Sequence, residues 1–174
     1  MKVLLRPYHN DDAPAFAEAV NASLDTLHPW LLWPHKGFTV EEACRWFAAT
    51  CTLRETGEAN ELGLFAGDDG RLLGGAGLRY SDQQKNLCSI GYWVRSSEQR
   101  KGVASQAVHH LLELAWQSQE RETVEILAVA ENIASRRVAE KCGGEFVGIR
   151  HGLIVLASGP VDTAIYHFHR TGNI

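Results

Sequence analysis

The sequence predicts a mixed α/β domain, and three observations predict it. Apolar residues keep helical spacing over residues 10–23 and 39–57, then switch near residue 60 to short runs rich in β-branched and aromatic residues. From there the two periods alternate, giving the order β-α-α-β-β-β-α-β-α-β-β. Finally, 174 residues with 45% apolar and 22% charged content suit one domain, 1–174, with a core of its own. No repeat, low-complexity tract or linker interrupts it.

The elements follow in chain order. "KVLLRP" (2–7) is an apolar run stopped by Pro7, hence a strand. "NDDAPAFAEAVNAS" (10–23) opens on acidic residues and Pro14, then spaces Phe16 and Val20 four apart, as an amphipathic helix does. "LHPWLLWPHKG" (27–37) is broken by prolines and reads as irregular or briefly helical. In "TVEEACRWFAATCTLRETG" (39–57), Thr39 with Glu42 three residues on predicts a capping box, and Gly57 an end. "NELGLFAGDDGRLLGGAGLRYSD" (60–82) is a hairpin turning at Asp68-Asp69-Gly70. Within it, Gly75 and Gly77 indicate close backbone approach, since no helix follows to make them a dinucleotide fingerprint.

"NLCSIGYWVR" (86–95) is a third strand of this region. In "GVASQAVHHLLELAWQSQ" (102–119), Val103, Ala107, Leu111 and Leu114 or Ala115 share a helical face. "TVEILAVA" (123–130) is a buried strand. "NIASRRVAEKC" (132–142) is a helix capped by Asn132 and ended by Gly143-Gly144. "EFVGIRHGLIV" (145–155) and "DTAIYHFHR" (162–170) are closing strands about a turn at Ser158-Gly159-Pro160.

Composition excludes several functions. A net charge of −4 argues against general nucleic-acid affinity. No apolar run of about 18 residues predicts a membrane span, and "MKVLLRPYHNDD" turns polar too early for a signal peptide. Cys44, Cys51, Cys88 and Cys142 form no CxxC pair and fit as small apolar residues with reduced thiols, which predicts a cytoplasmic protein. His167 and His169 alternate on one strand and His109-His110 lie on a helix, but no third ligand accompanies either pair, so no metal is expected.

One short stretch points to a ligand. "EQRKGVASQA" (98–107) sets Arg100, Lys101 and Gly102 before a helix, where unpaired N–H groups and the helix dipole favour anions. There is no GxxxxGK[ST], so this is not a Walker loop. Gln99-Arg100-Lys101-Gly102-Val103-Ala104 instead matches Q/R-x-x-G-x-G/A. Further on, Asn132, Ser135, Val138, Glu140, Lys141 and Gly143 match N-x-x-S-x-x-V-x-E-K-x-G. These two blocks resemble the GNAT N-acetyltransferase superfamily, most closely its RimJ/RimL-like branch, strongly over 90–143 and more loosely over the whole domain.

The resemblance implies a mostly antiparallel sheet of about seven strands flanked by four helices, and acetyl-CoA as co-substrate. Its pyrophosphate would rest on Gln99, Arg100, Lys101, Gly102, Val103, Ala104 and Ser105. Its pantetheine would run beside Trp93, Val94 and Arg95, held by Asn132. Val94 would polarise the thioester carbonyl through its backbone, and Ser135 would protonate the departing thiolate, with Tyr166 as an alternative donor. The implied acceptor is a primary amine: a ribosomal or other protein N-terminus, or else a polyamine, antibiotic or metabolite. A non-catalytic acyl-CoA sensor and a homodimer also stay open.

The base is missing from its usual places, because Ser89 and Val147 stand where relatives carry carboxylates. His28, His35, Glu131 or solvent remain as candidates. His28, Trp30 and Trp33 are the expected acceptor wall, with Phe38 beside them; core packing is the alternative for the aromatics.

Overall fold

A computed structural model describes residues 1–171. Seven strands form one sheet in the order β1-β2-β3-β4-β5-β7-β6. They are β1 (Val3–Arg6), β2 (Ala59–Ala66), β3 (Leu72–Tyr80), β4 (Leu87–Val94), β5 (Thr123–Val129), β6 (Glu145–Leu156) and β7 (Gly159–His169). The helices are α1 (Ala13–Asn21), α2 (Leu24–Leu27), α3 (Val40–Thr56), α4 (Val103–Trp116) and α5 (Ile133–Lys141). The four expected helices are all present. The one-turn α2 is an addition, falling just before the proline-broken segment, where too few residues carry a helical period.

Local chemistry explains most boundaries. Gly70 takes φ +76° in the β2–β3 turn and Gly57 takes φ +75° at the end of α3, both left-handed conformations. Asn132 caps α5 by accepting from the Ser135 N–H at 3.3 Å. The capping box at α3 is only half made. Thr39 Oγ1 accepts from the Glu42 N–H at 3.1 Å, but the Glu42 carboxylate turns to His35 Nε2 at 2.6 Å. An imidazole ring offered a better partner than the Thr39 amide.

Two layers cover the sheet. On one face α4 and α5 bury Leu64, Leu73, Leu78, Ile90, Val108, Leu111 and Ile126. Each such aliphatic side chain contributes roughly 1.5–3 kcal/mol by leaving water. On the other face, α1 and α3 close over Tyr8, Phe16, Phe47, Phe65 and Trp93.

Every strand pair is antiparallel except β4–β5, and this exception positions the site. The parallel ladder joins only Leu87–Ile90 to Thr123–Ile126. Beyond it, β4 stays paired to β3 as far as Val94, and β5 stays paired to β7 as far as Val129. The two strands therefore part at Ile90 and Ile126, and the sheet opens in its middle.

Candidate active site

The opening leads into a cleft of about 1180 Å³ that reaches both faces of the sheet. Val94 sits at its edge. The Arg95 N–H donates to Leu73 O at 2.9 Å, and the Gln99 side chain donates to Val94 O at 3.1 Å. In an extended strand one residue's N–H and C=O point the same way. Val94 therefore turns its N–H away from β3 and toward the gap, where an extended ligand or a polarised carbonyl can accept from it.

The turn before α4 forms the second part. Arg100 has φ +62°, the only non-glycine residue with positive φ among the described residues, and Gly102 follows at φ +79°. This doubly left-handed turn leaves the first amides of α4 exposed at the cleft. A Cβ on Gly102 would meet nothing within 4 Å, so the space above these amides is open. Beneath the turn lies buried Glu98, with Arg71 Nε at 2.9 Å and Lys101 Nζ at 3.2 Å. Arg71, then Lys101, hold the Glu98 carboxyl below its usual range.

The third part is a hydroxyl pair. Ser135 Oγ lies 3.0 Å from the Tyr92 hydroxyl, joining α5 to β4 across the gap. Burial pushes the Tyr92 hydroxyl up to about 12, so it stays protonated at neutral pH. A thiolate at this point would meet two linked O–H groups. Tyr166 is not available for that task. It is fully buried, donating to Glu140 Oε1 at 2.8 Å and accepting from Arg136 Nε at 3.0 Å.

The remaining wall is aromatic. Trp33 packs at 5.6 Å from Trp93 and 6.2 Å from Phe16, ring centre to ring centre, and Trp30 and Phe38 also line the cleft. Pro34 is buried behind them, with His28 Nε2 2.8 Å from its carbonyl oxygen.

Most of the expected residues thus meet in one cleft: Trp93, Val94, Gln99, Arg100, Gly102, Val103, Ala104, Ser105, Asn132, Ser135, Trp30 and Trp33. Three side chains turn elsewhere. Arg95 reaches Glu18 at 2.8 Å, Lys101 pairs with Glu98, and His28 holds the loop behind the wall. His35 also lies outside the walls. Glu42 beside it raises its pKa, favouring the imidazolium, which has no lone pair to act as a base.

Sequence reasoning missed Tyr8, Tyr92 and Glu61, all in the cleft walls. The signal for two of them was the pair of strand glycines. A Cβ on Gly75 would stand 2.5 Å from the Tyr8 hydroxyl, and one on Gly77 would stand 2.2 Å from Glu61 Oε2.

Known proteins resemble this chain in sequence and in fold. The family described as "Acetyltransferase (GNAT) domain" matches residues 2–145. A Bacillus subtilis (strain 168) protein, provisionally named ribosomal N-acetyltransferase YdaF, is 29% identical over 148 residues, covering 81% of this chain and 76% of that protein. Among solved structures, RimL, a ribosomal L7/L12 α-N-protein acetyltransferase in complex with coenzyme A, superposes with a TM-score of 0.86 at 21% identity, covering 97% of this chain and 94% of that one. Mycobacterium smegmatis RimJ, in complex with CoA-disulfide, gives 0.87 at 21% identity, over 96% and 81% of the two chains. The microcin C7 self-immunity acetyltransferase MccE, in complex with acetyl-CoA and AMP, gives 0.89 at 17% identity, over 97% and 93%. At these identities the structural likeness is one of fold.

Proposed function

The chain belongs to the GNAT acetyltransferases, and from that premise we propose that it moves the acetyl group of acetyl-CoA to the N-terminal amine of a protein. One observation carries the reading: β4 and β5 part beside the doubly left-handed turn that opens α4. That arrangement accepts a ligand with an extended amide-bearing arm and a phosphate end. Gln99–Ser105 receive the pyrophosphate. The arm lies along β4, beside the N–H of Val94, with Asn132 and Ser135 opposite.

The acceptor end favours a peptide. Trp30, Trp33 and Phe38 line it beside Glu42 and Arg45, and Trp33 is 40% exposed there. Two of the relatives named above, YdaF and RimL, carry ribosomal substrates in their names, and a ribosomal N-terminus is the first acceptor class to try. Such a substrate places the enzyme in the cytoplasm. None of the described helices is long and apolar enough to cross a membrane, and all four cysteines are free thiols.

Release of CoA thiol from acetyl-CoA tests this directly. Peptides with a free N-terminus should support release, and the same peptides with a blocked N-terminus should not. Turnover with polyamines or aminoglycosides alone would make it a small-molecule enzyme. Acetyl-CoA binding without turnover on any amine would make it a sensor.

Trp33→Ala addresses the acceptor wall. The peptide KM should rise while the thermal shift produced by acetyl-CoA stays intact, the pattern of lost binding of one substrate. Because Trp33 is 40% exposed, the cost in stability should stay below the roughly 3–5 kcal/mol of a fully buried Trp→Ala change. A full core-sized loss with an unchanged peptide KM would remove Trp33 from the acceptor site.

A further inference from the structure

The family's usual base positions hold Ser89 and Val147, yet one carboxylate does enter the cleft from another strand. Glu61 on β2 lies opposite Gly77 on β3, and Gly77 lies opposite Gly91 on β4. All three belong to the same face of the sheet. The Glu61 side chain crosses flat over Gly77, where a Cβ would stand 2.2 Å from Oε2. The residue is 6% exposed and lines the cleft. Gly91 is the first β4 residue beyond the last β4–β5 pair, so it stands at the apex of the gap. Neighbouring strands lie about 4.8 Å apart. A carboxylate over Gly77 is therefore about one strand spacing from an amine above Gly91, within reach through one water. Neither glycine raises a side chain between them.

The occupant of that floor is a cation. Arg79 Nε donates to Glu61 Oε1 at 2.8 Å, and its guanidinium lies over Gly91, 3.4 Å from where a Cβ would be. The Arg79 side chain is 60% exposed, against 7% for that of Glu61. A buried carboxylate is thus paired with a cation that is free to swing into water. Glu61 Oε2 accepts no hydrogen bond among the described residues, although an ionised carboxylate has about four acceptor sites.

We infer that Glu61 receives the acceptor's ammonium group and takes its proton, and that Arg79 holds the place of that cation until the acceptor displaces it. This rests on the acetyltransferase reading above. The ammonium gives one proton to the Glu61 carboxylate, which returns it to solvent. The freed lone pair attacks the thioester carbon, and a C–N bond forms. The adduct nitrogen gives its second proton to solvent, the C–S bond breaks, and the thiolate takes a proton from the Ser135–Tyr92 pair, which solvent then reloads. The balance is one amide, one CoA thiol and one proton released.

Other groups near Glu61 do not fit the task. Tyr8 faces it from the segment after β1, but burial first and the Glu61 charge second push its hydroxyl far above neutrality. Glu42 and Arg45 of α3 stand further along the cleft. Glu58 and Asp82 line a separate pocket of about 260 Å³, whose walls share Glu61 and Arg79. Glu125 on β5 is held by His167 at 2.8 Å.

The test follows kcat/KM between pH 6 and 9.5, with acetyl-CoA and a synthetic peptide bearing a free α-amine. Glu61→Gln should lose about 10²–10⁴-fold near pH 7. The deficit should shrink as pH passes the amine's own pKa of about 8, where free amine arrives unaided. Glu61→Asp should recover part of the loss, and the acetyl-CoA thermal shift should persist in both variants. A loss equal at every pH, or none, would overturn the assignment. Should Glu61→Gln fail to fold, the exposed partner decides: Arg79→Ala should retain transfer and lower the peptide KM several-fold, and a raised KM would refute the displacement. Wild-type protein that binds acetyl-CoA yet acetylates no amine would fail the acetyltransferase reading itself. Wild-type turnover with an unaffected Glu61→Gln would fail this inference alone.

Discussion

Ser135→Ala should lower kcat by about 10²–10⁴-fold while leaving acetyl-CoA affinity nearly unchanged. The expulsion of a thiolate from the tetrahedral adduct is eased by a proton arriving as the C–S bond breaks. In the proposed reaction Ser135 Oγ would supply it and be resupplied by the Tyr92 hydroxyl, 3.0 Å away. The alanine removes the terminal donor and leaves Tyr92 only the more distant Ser135 carbonyl oxygen, at 3.4 Å. Tyr92→Phe should produce a smaller loss, since Ser135 could still donate but would reload from solvent. Steady-state kinetics with saturating amine, together with the acetyl-CoA thermal shift, check both variants. Full kcat with weakened acetyl-CoA binding would make Ser135 a contact for the arm and not a proton donor.

Gly102→Asp should abolish the thermal shift that acetyl-CoA produces. At 100-fold its dissociation constant a ligand adds about 2.7 kcal/mol of stability, and the variant should lose essentially all of it. The position has room for a side chain, with nothing within 4 Å of a Cβ, so the unliganded fold should survive. That room is where the pyrophosphate is expected, and the new carboxylate would face it with like charge. Gly102→Asn separates charge from backbone. Asparagine tolerates the left-handed φ of +79° that this residue needs and carries no charge, so it should retain part of the shift. An undiminished shift in Gly102→Asp would move the phosphate away from α4.

What was legible in the sequence was local. The element order came from apolar period, and the turns came from Asp68-Asp69-Gly70, Gly57 and Asn132, whose chemistry acts within a few residues. The turn that opens α4 was readable for the same reason, since Gln99–Ala104 and the helix form one continuous segment. Asn132 and Ser135 stand three apart on a first helical turn, so their shared face follows from helix geometry alone.

Tertiary structure decided which segments became neighbours. Apolar alternation says that β5 is buried, but not that β7 inserts between it and β6, nor that its ladder with β4 stops at Ile90 and Ile126. The Ser135–Tyr92 contact spans 43 residues of sequence and exists only because the gap brings α5 against β4. Arg95 and Lys101 look like cofactor ligands in a linear motif, but Glu18 and Glu98 claim their side chains once the chain has folded. Glu61 carries no motif at all. It enters the site because cross-strand register places it over Gly77 and in line with Gly91, and register depends on long-range pairing that no short window of sequence contains.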